Sequence, residues 1–233
     1  MSIVLAIHQP NYLPWIGYFH KMINCDKFVF LDNVPFTKNG LQNRNRIKTS
    51  AGVSWLTVPV LQKGLFGQLT NDVKINNDVD WRKKNWNSVY MSYCKAPFFS
   101  DYSDFFENVY KFEWSNLVEL NLEFLKFIMA ELGINIPTCL ASELNCSGKG
   151  SELLLNICKK LSATVYLSGV SGKKYLKEGE FKDNHIELRY HEFVHPVYDQ
   201  LYGEFIPNLS IIDLMFNHGK KSIDIISGKG NIV

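Results

Sequence analysis

Short apolar runs alternate with helical patterns at both ends of the chain. Residues 3–7 are a continuous apolar run of strand length, and in the second predicted strand, residues 27–31, the run covers Phe28 to Leu31. Such runs are typical of parallel strands that are covered on both faces. Between them, residues 15–23 carry apolar side chains at helical spacing. Further runs predict strands at residues 54–60, 138–141, 164–167 and 186–190, with helices over residues 150–161 and from Ser210 onward.

The middle of the chain has a different pattern. Residues 81–93, 98–110 and 114–132 all have helical spacing, and the last of these patterns ends at Gly133, ahead of Pro137. The order is therefore βαβ, a helical segment, then βαβα. We expect one α/β domain over residues 1–233 with a mostly parallel, Rossmann-like sheet, in which residues 79–133 form a helical insertion or a lid.

Composition narrows the classes of partner. The 233 residues are 46% hydrophobic and 21% charged, with a formal net charge of +2. A charge so close to zero gives no reason to expect a nucleic acid or an anionic membrane as partner. No apolar run reaches the ~18 residues of a membrane span, and no secretory leader opens the sequence. We therefore expect a cytoplasmic protein without a membrane span.

Several familiar motifs are missing from the sequence. The five cysteines include no CxxC pair, and the histidines are not spaced as metal ligands, so we expect reduced thiols and no metal site. Glu143 and Gly150 occupy positions where a P-loop needs Gly and then Ser or Thr. Neither a three-glycine dinucleotide fingerprint nor a GxSxG nucleophile elbow is present.

Polar side chains follow the first two predicted strands directly. The first strand runs into HQPNYLPWIGYFHK, and the second runs into Asp32 and Asn33, with Asn43, Arg44 and Arg46 further on. Parallel strands bring their carboxyl ends to one edge of a sheet, where open α/β folds bind ligands. We expect His8 to act there as acid, base or charge stabiliser and arginine to bind an anion. A stiff polar connector, a structural histidine and an exposed basic face are the alternatives.

Two later segments are further candidates. Ser168-Gly169-Val170-Ser171-Gly172 follows a buried strand, and a Gly/Ser turn of this kind offers main-chain N–H groups to a phosphate or carboxylate, although it also serves simply to reverse the chain. Polar residues also cluster near the carboxyl end: His195, Tyr198, Glu204, Asn208 and Asp213. Asn208 or Ser210 is alternatively the N-cap of the last helix.

Long blocks of the sequence closely resemble the WbqC-like protein family. They are HQPNYLPWIGYFHK, FLDNVPF, NRNRIKT, YLSGVSGKKYL and HPVYDQLYGEFIPNLSIIDLMFNHG. The resemblance implies a bacterial protein of surface polysaccharide (O-antigen) synthesis that transfers glycine or a related aminoacyl group to an amino sugar. We expect His8, Asp32 and His195 to be catalytic. The other motif positions are expected to bind substrate: Gln9, Asn11, Tyr12, Asn33, Asn43, Arg44, Ser168, Gly169, Ser171, Tyr198, Glu204, Asn208 and Asp213.

The predicted architecture also resembles nucleotidyltransferases and class I synthetases, which carry an HxGH-type motif after the first strand. His8 stands at the place of the first histidine of that motif, but Asn11 stands at the place of the second. His20 lies too far along the following helix to replace it. This departure argues against adenylyl transfer by that motif.

Three functions therefore stay open. The leading hypothesis is a transferase that adds an aminoacyl or acyl group to a nucleotide-linked amino sugar. The alternatives are nucleotidyl or adenylyl transfer to another small molecule, and a non-catalytic module that binds a sugar nucleotide. ATP and Mg²⁺ would be needed if a carboxylate is activated; the sequence itself indicates no cofactor and no oligomeric state.

Overall fold

The computed structural model describes residues 2–228 and 231–232. Its strands are β1 Val4–His8, β2 Lys27–Phe30, β3 Arg44–Thr49, β4 Gly52–Thr57, β5 Thr138–Leu140, β6 Val165–Gly169, β7 Glu187–Glu192 and β8 Asn231–Ile232. Its α-helices are α1 Ile16–Ile23, α2 Trp81–Tyr93, α3 Phe99–Lys111, α4 Leu117–Glu131, α5 Ser151–Lys160, α6 Glu178–Asp183, α7 Ile211–His218 and α8 Ser222–Ser227.

The main sheet has the strand order β5-β2-β1-β6-β7-β8. The first five strands are parallel, and β8 joins the edge of β7 in the antiparallel direction. Numbered by their order along the chain, the five parallel strands run 3-2-1-4-5, which is the order of a doubly wound nucleotide-binding sheet. The predicted Rossmann-like α/β fold is confirmed.

Two hydrophobic clusters cover the two faces of this sheet. Successive side chains of a strand point to opposite faces: Leu5 and Ile7 of β1 belong to the cluster that contains α5 and α6, whereas Ala6 between them belongs to the cluster that contains α1 and α7. The predicted continuous apolar run of β1 is therefore explained by burial on both sides.

The three helices of the middle segment pack on the α1 side of the sheet. Trp81, Tyr93, Phe106 and Phe124 are almost completely buried, and they belong to the same cluster as Phe19 of α1. Their aromatic side chains therefore build core. The interpretation of residues 79–133 as a separate insertion or lid stays a prediction.

The prediction for residues 42–60 was wrong in part. It placed a polar loop before one strand at residues 54–60, but β3 and β4 form an antiparallel hairpin, which the structure keeps apart from the main sheet. The reason is a buried asparagine: Asn45 points inward like Ile47, and its side-chain amide donates to the main-chain oxygen of Leu13 over 2.6 Å. A polar residue on the buried face disguises the two-residue alternation of a strand.

Candidate functional site

The central crevice of the sheet opens between β1 and β6. From β1 the chain proceeds through α1 to β2 on one side, and from β6 through α6 to β7 on the other, with α1 and α6 on opposite faces of the sheet. Because these connections leave in opposite directions, a crevice forms at the carboxyl ends of β1 and β6. It holds a cavity of about 270 Å³, here called the switch-point cavity, which is lined by Ile7, His8, Gln9, Lys21, Leu31, Leu154, Tyr166, Ser168, Gly169, Ser171 and Tyr175.

His8 is the last residue of β1, and its imidazole lines the switch-point cavity. Nδ1 lies 3.1 Å from the main-chain oxygen of Gln9 and donates to it. Nε2 therefore carries the lone pair, and the ring packs edge-on against Tyr18. Burial, with the positive charge of Lys21 nearby, lowers the pKa of His8 to about 4. The imidazole is neutral at physiological pH and is able to accept a proton.

Lys21 is a buried lysine on α1 that reaches the same cavity. Only 3% of its surface is exposed, and its ammonium group donates to the main-chain oxygen of Ile7 over 3.0 Å. Burial lowers the pKa of Lys21 to about 8, so the amine is still mostly charged at pH 7. None of the cavity-lining residues in the described part of the chain is an aspartate or a glutamate.

A second pair of imidazoles lies behind Lys21. His20 of α1 and His191 of β7 are 2.6 Å apart between Nδ1 and Nε2, and the side-chain amide of Asn24 donates to the main-chain oxygen of His20. Burial, together with the nearby His20, Lys21 and His8, lowers the pKa of His191 to about 3. This edge of the sheet thus gathers four basic side chains.

The turn after β6 forms the opposite wall. Ser168, Gly169 and Ser171 all line the cavity. Position 172 has no room for a side chain, because a Cβ atom there would lie 2.2 Å from the Ser168 hydroxyl oxygen. At Gly169 the backbone is ordinary extended chain, and a Cβ atom would meet no protein atom within 4 Å. The missing side chain at Gly169 therefore leaves open space in the cavity.

The structure brings five of the predicted site residues together in this cavity: His8, Gln9, Ser168, Gly169 and Ser171. Six lining residues were not predicted: the polar Lys21, Tyr166 and Tyr175 and the apolar Ile7, Leu31 and Leu154. Gly17, His20, Lys21 and Asn24 form a polar stripe on an otherwise apolar helix, which is typical of a solvent-facing side. The structure instead buries α1 nearly all round.

Asp32 has partners of its own away from the cavity lining. Its carboxylate is buried and accepts from the main-chain N–H of Ser142 over 2.9 Å and from the Ser142 hydroxyl over 2.6 Å. This contact joins the chain after β2 to the turn after β5, and the catalytic role of Asp32 stays a prediction. Asn33 follows Asp32, and its buried Oδ1 has no hydrogen-bond partner among the described residues.

Three other polar residues of the opening blocks are buried away from the cavity lining. Asn11 and Tyr12 are buried, and the Tyr12 hydroxyl is hydrogen-bonded to that of Tyr110. Asn43 donates its side-chain amide to the main-chain oxygen of Val58 over 2.8 Å. None of these side chains is among the cavity-lining residues that the structure describes.

Arg44 lies on the outer face of the β3–β4 hairpin. Its guanidinium stands 4.4 Å from the ring centre of Trp55 and donates to the main-chain oxygen of Asn39. Arg46 lies over the same ring at 5.9 Å and reaches the main-chain oxygen of Asn208. The two arginines are thus held by an exposed tryptophan and by main-chain oxygens.

The predicted C-terminal group divides into a buried and an exposed part. His195 stacks between the rings of Trp15 and Tyr198, and its Nδ1 donates to the main-chain oxygen of Pro196 over 2.8 Å. The Asp213 carboxylate accepts hydrogen bonds from Tyr93 and Tyr198, at 2.9 and 3.0 Å. The side chains of the remaining two predicted residues face solvent: Glu204 and Asn208.

The chemistry available in the switch-point cavity is that of anion binding and proton transfer. Lys21 supplies positive charge, the Ser168–Ser171 turn supplies polar groups, and His8 supplies a neutral imidazole. In residues 2–228, no three His, Cys, Asp or Glu side chains are grouped so as to hold a metal ion. No α-helix in the described ranges is both long and apolar enough to cross a bilayer.

Comparison with known proteins agrees with the sequence blocks. The model of the WbqC-like protein family matches residues 9–225. Over 224 residues the chain is 36% identical to "Uncharacterized protein Rv1507c" of Mycobacterium tuberculosis (strain ATCC 25618 / H37Rv). The aligned region covers 95% of this chain and 96% of the relative. No solved structure matches the chain significantly. The predicted resemblance is confirmed, and the chain belongs to the WbqC-like protein family.

Proposed function

We propose that this protein is a transferase that binds a nucleotide-linked amino sugar in the switch-point cavity and transfers glycine or a related aminoacyl group to it. The proposal includes a cytoplasmic location and a role in surface polysaccharide synthesis, as the family resemblance implies. The observation that carries it is the neutral His8 imidazole beside the cationic Lys21, at the carboxyl ends of β1 and β6.

The cavity favours a phosphate-bearing ligand. Lys21 carries a buried positive charge, and the Ser168–Ser171 turn adds hydroxyl and main-chain groups. Phosphate oxygens accept hydrogen bonds from such donors strongly. At about 270 Å³ the cavity lies at the small end of ligand sites. In this account it holds the diphosphate and the reacting end, while the remainder of the ligand extends past Tyr175, which is half-exposed.

His8 supplies the base that amide formation needs. The amine nitrogen of the sugar attacks the acyl carbon of the donor, so a C–N bond forms. The bond from that carbon to its leaving group breaks, and the leaving group departs with the electron pair. The proton lost from nitrogen passes to Nε2 of His8, which holds the lone pair because Nδ1 donates to the main-chain oxygen of Gln9. The negative charge of the bound diphosphate would raise the pKa of His8 from its value of about 4 and stabilise the imidazolium beside Lys21.

Activation of a free carboxylate would require ATP and Mg²⁺. Mg²⁺ prefers carboxylate oxygens, and the described lining of the switch-point cavity contains none. The residues present therefore do not fit a magnesium ion held by protein ligands, and a preactivated acyl donor suits this lining better. The proposed step involves no metal.

Nucleotidyl transfer is the second candidate. It is favoured by the 3-2-1-4-5 order of the parallel strands, with His8 after the first strand and the Ser168–Ser171 turn after the fourth. Transfer of a nucleotidyl group would release diphosphate from ATP or CTP. Acyl transfer to a sugar from a preactivated donor would release none.

The test is a thermal-shift and turnover panel on the full chain. It comprises ATP, CTP, UDP- and dTDP-linked amino sugars, glycine and a preactivated glycyl thioester, with and without Mg²⁺, with products identified by mass spectrometry. We expect stabilisation by a nucleotide-linked amino sugar and a product heavier by one aminoacyl group. Diphosphate release would support the second candidate, and tight binding without product under any donor would support a binding module.

Two histidine variants make this test specific. His8→Gln is expected to abolish turnover while its melting temperature stays within a few degrees of the wild type. His195→Gln alters a histidine that stacks outside the cavity lining, and we expect it to retain turnover. Full activity of His8→Gln, or loss of activity in His195→Gln alone, would contradict the assignment of the base.

A further inference from the structure

We propose that Lys21, which the sequence did not mark, is the residue that binds the phosphoryl anion of the ligand, and that the ligand carries a diphosphate. This inference rests on the proposed function for the site but names its charged contact. A lysine in this position is a specific binding residue because its charge is buried, aimed at a cavity and opposed by no acid.

The first line of support is the bonding of the Lys21 ammonium group. It has three N–H donors, and its hydrogen bond to the Ile7 oxygen uses one of them. Among the described residues no other hydrogen bond or ion pair involves the Lys21 ammonium group. The residue as a whole is 3% exposed, and it lines the switch-point cavity. Two donors are therefore available to a ligand at a place that water reaches poorly.

A comparison within the same chain shows that this is unusual. Lys48 of β3 is also buried, with 1% of its surface exposed. Its ammonium group donates to the Gln200 side-chain oxygen at 3.3 Å and to the main-chain oxygens of Gly203 and Glu204 at 3.4 and 2.5 Å. Lys48 thus has the three acceptors expected of a structural lysine, whereas Lys21 has one.

The surroundings of Lys21 explain why the ligand should be an anion. The titratable groups that face it are His8 from β1, His20 and Cys25 from α1 or the turn after it, and His191 from β7. None of these groups is an acid at neutral pH. A phosphoryl group supplies the missing negative charge. A diphosphate offers acceptors to both walls of the cavity, one phosphoryl group to Lys21 and the other to the Ser168–Ser171 turn.

The placement of Lys21 also suits a ligand at the switch point. Its hydrogen bond to Ile7 fixes the amine at the carboxyl end of β1, one residue before His8. The cation and the base of the proposed reaction are therefore adjacent. A diphosphate held by Lys21 would place the attached sugar within reach of His8.

The experiment is isothermal titration of inorganic pyrophosphate into three proteins at pH 7. They are the full-length wild type, Lys21→Met and the matched control Lys48→Met. Loss of a charge-assisted hydrogen bond weakens binding by about tenfold or more. We expect that loss in Lys21→Met, and an affinity within threefold of the wild type in Lys48→Met. Circular dichroism confirms that each variant is folded, and Lys21→Arg serves as a second variant that keeps the charge.

The outcomes separate this inference from the proposed function. Equal affinity of wild type and Lys21→Met for pyrophosphate would overturn the inference, whatever the protein does with nucleotide sugars. Absence of pyrophosphate binding in the wild type would also overturn it. Selective loss in Lys21→Met, together with no binding or turnover of any nucleotide-linked sugar, would support Lys21 as the anion ligand and reject the proposed function.

Discussion

Lys21 on α1 donates a hydrogen bond to the main-chain oxygen of Ile7 on β1, over 3.0 Å. This contact links α1 to the carboxyl end of β1 and positions a buried cation beside His8. A buried lysine with a single acceptor is costly to the fold. Such a cost is expected where a residue serves binding rather than stability.

Replacing Lys21 by Met should therefore stabilise the protein at pH 7. The fall of its pKa from 10.5 to about 8 corresponds to a penalty of roughly 3 kcal/mol. The lost hydrogen bond to Ile7 offsets ~1 kcal/mol of the gain. We expect Lys21→Met to unfold at higher urea concentration than the wild type, and Lys48→Met to unfold at lower urea concentration because three acceptors lose their donor.

The difference in free energy of unfolding between Lys21→Met and the wild type should depend on pH. Between pH 8 and 10.5 folded Lys21 loses its proton while the unfolded chain keeps it, so the unfolded state binds more protons and the free energy of unfolding rises with pH. The advantage of Lys21→Met over the wild type should shrink across this range. A constant difference from pH 7 to 10 would show that the lysine is not strained by burial.

Acid should destabilise the protein before its carboxylates titrate. Burial lowers the pKa of His8 to about 4 and that of His191 to about 3. Between pH 6.5 and 4 the unfolded state binds more protons, so the free energy of unfolding falls as the pH falls. We expect His8 alone to account for ~2 kcal/mol of this loss. Urea unfolding at pH 7 and 4.5 measures it.

A pair of histidine variants isolates that contribution. His8→Gln should lose less stability on acidification than the wild type, since its side chain does not titrate. His185→Asn alters an exposed histidine and should follow the wild-type pH dependence. Identical acid sensitivity of His8→Gln and the wild type would mean that His8 is not held neutral by its surroundings.

Two glycines of the turn after β6 should behave differently. Gly169→Ala adds a methyl group that meets no protein atom within 4 Å, so stability should change little while affinity for the ligand falls about tenfold. Gly172→Ala places its methyl group against the Ser168 hydroxyl and Leu176, which should destabilise the fold by about 1–3 kcal/mol. Melting curves and titrations of both variants check this; unchanged ligand affinity in Gly169→Ala would place the ligand elsewhere.

Asp32 is expected to stabilise the fold without contacting the ligand. Asp32→Asn puts an amide group against the two donors of Ser142, and it should cost about 2 kcal/mol of unfolding free energy. Ser142→Ala removes the hydroxyl bond alone and should cost about 1 kcal/mol. Ligand affinity should stay within twofold in both variants. Loss of turnover in Asp32→Asn at unchanged stability would instead restore the predicted catalytic role.

The sheet was predictable because its strands carry their own signal. The runs of β1, β2 and β6 are apolar on both faces, and the residues that follow them are polar, so strand type and the position of the crevice both followed. The β3–β4 hairpin was harder to predict because Asn45 breaks the apolar alternation, yet its amide is satisfied by Leu13, a partner more than thirty residues away.

Part of the site was predictable because its residues follow apolar strands directly in the sequence. His8, Gln9 and the Ser168–Ser171 turn lie directly at strand ends, where local sequence places them. Asp32 differs because its partner Ser142 is 110 residues away, beyond the helical middle of the chain. Lys21 differs because burial of a polar helix stripe depends on what packs against it, and the sequence of α1 does not contain that information.

The central claim is that a diphosphate binds in the switch-point cavity beside Lys21 and His8. The most direct measurement is a crystal structure of the full chain soaked with a UDP-linked amino sugar. The account predicts phosphate oxygens within hydrogen-bond distance of the Lys21 ammonium group and of the Ser168–Ser171 turn, with the sugar amine near Nε2 of His8. Density for the ligand over the Arg44–Trp55 face, with the cavity empty, would contradict it.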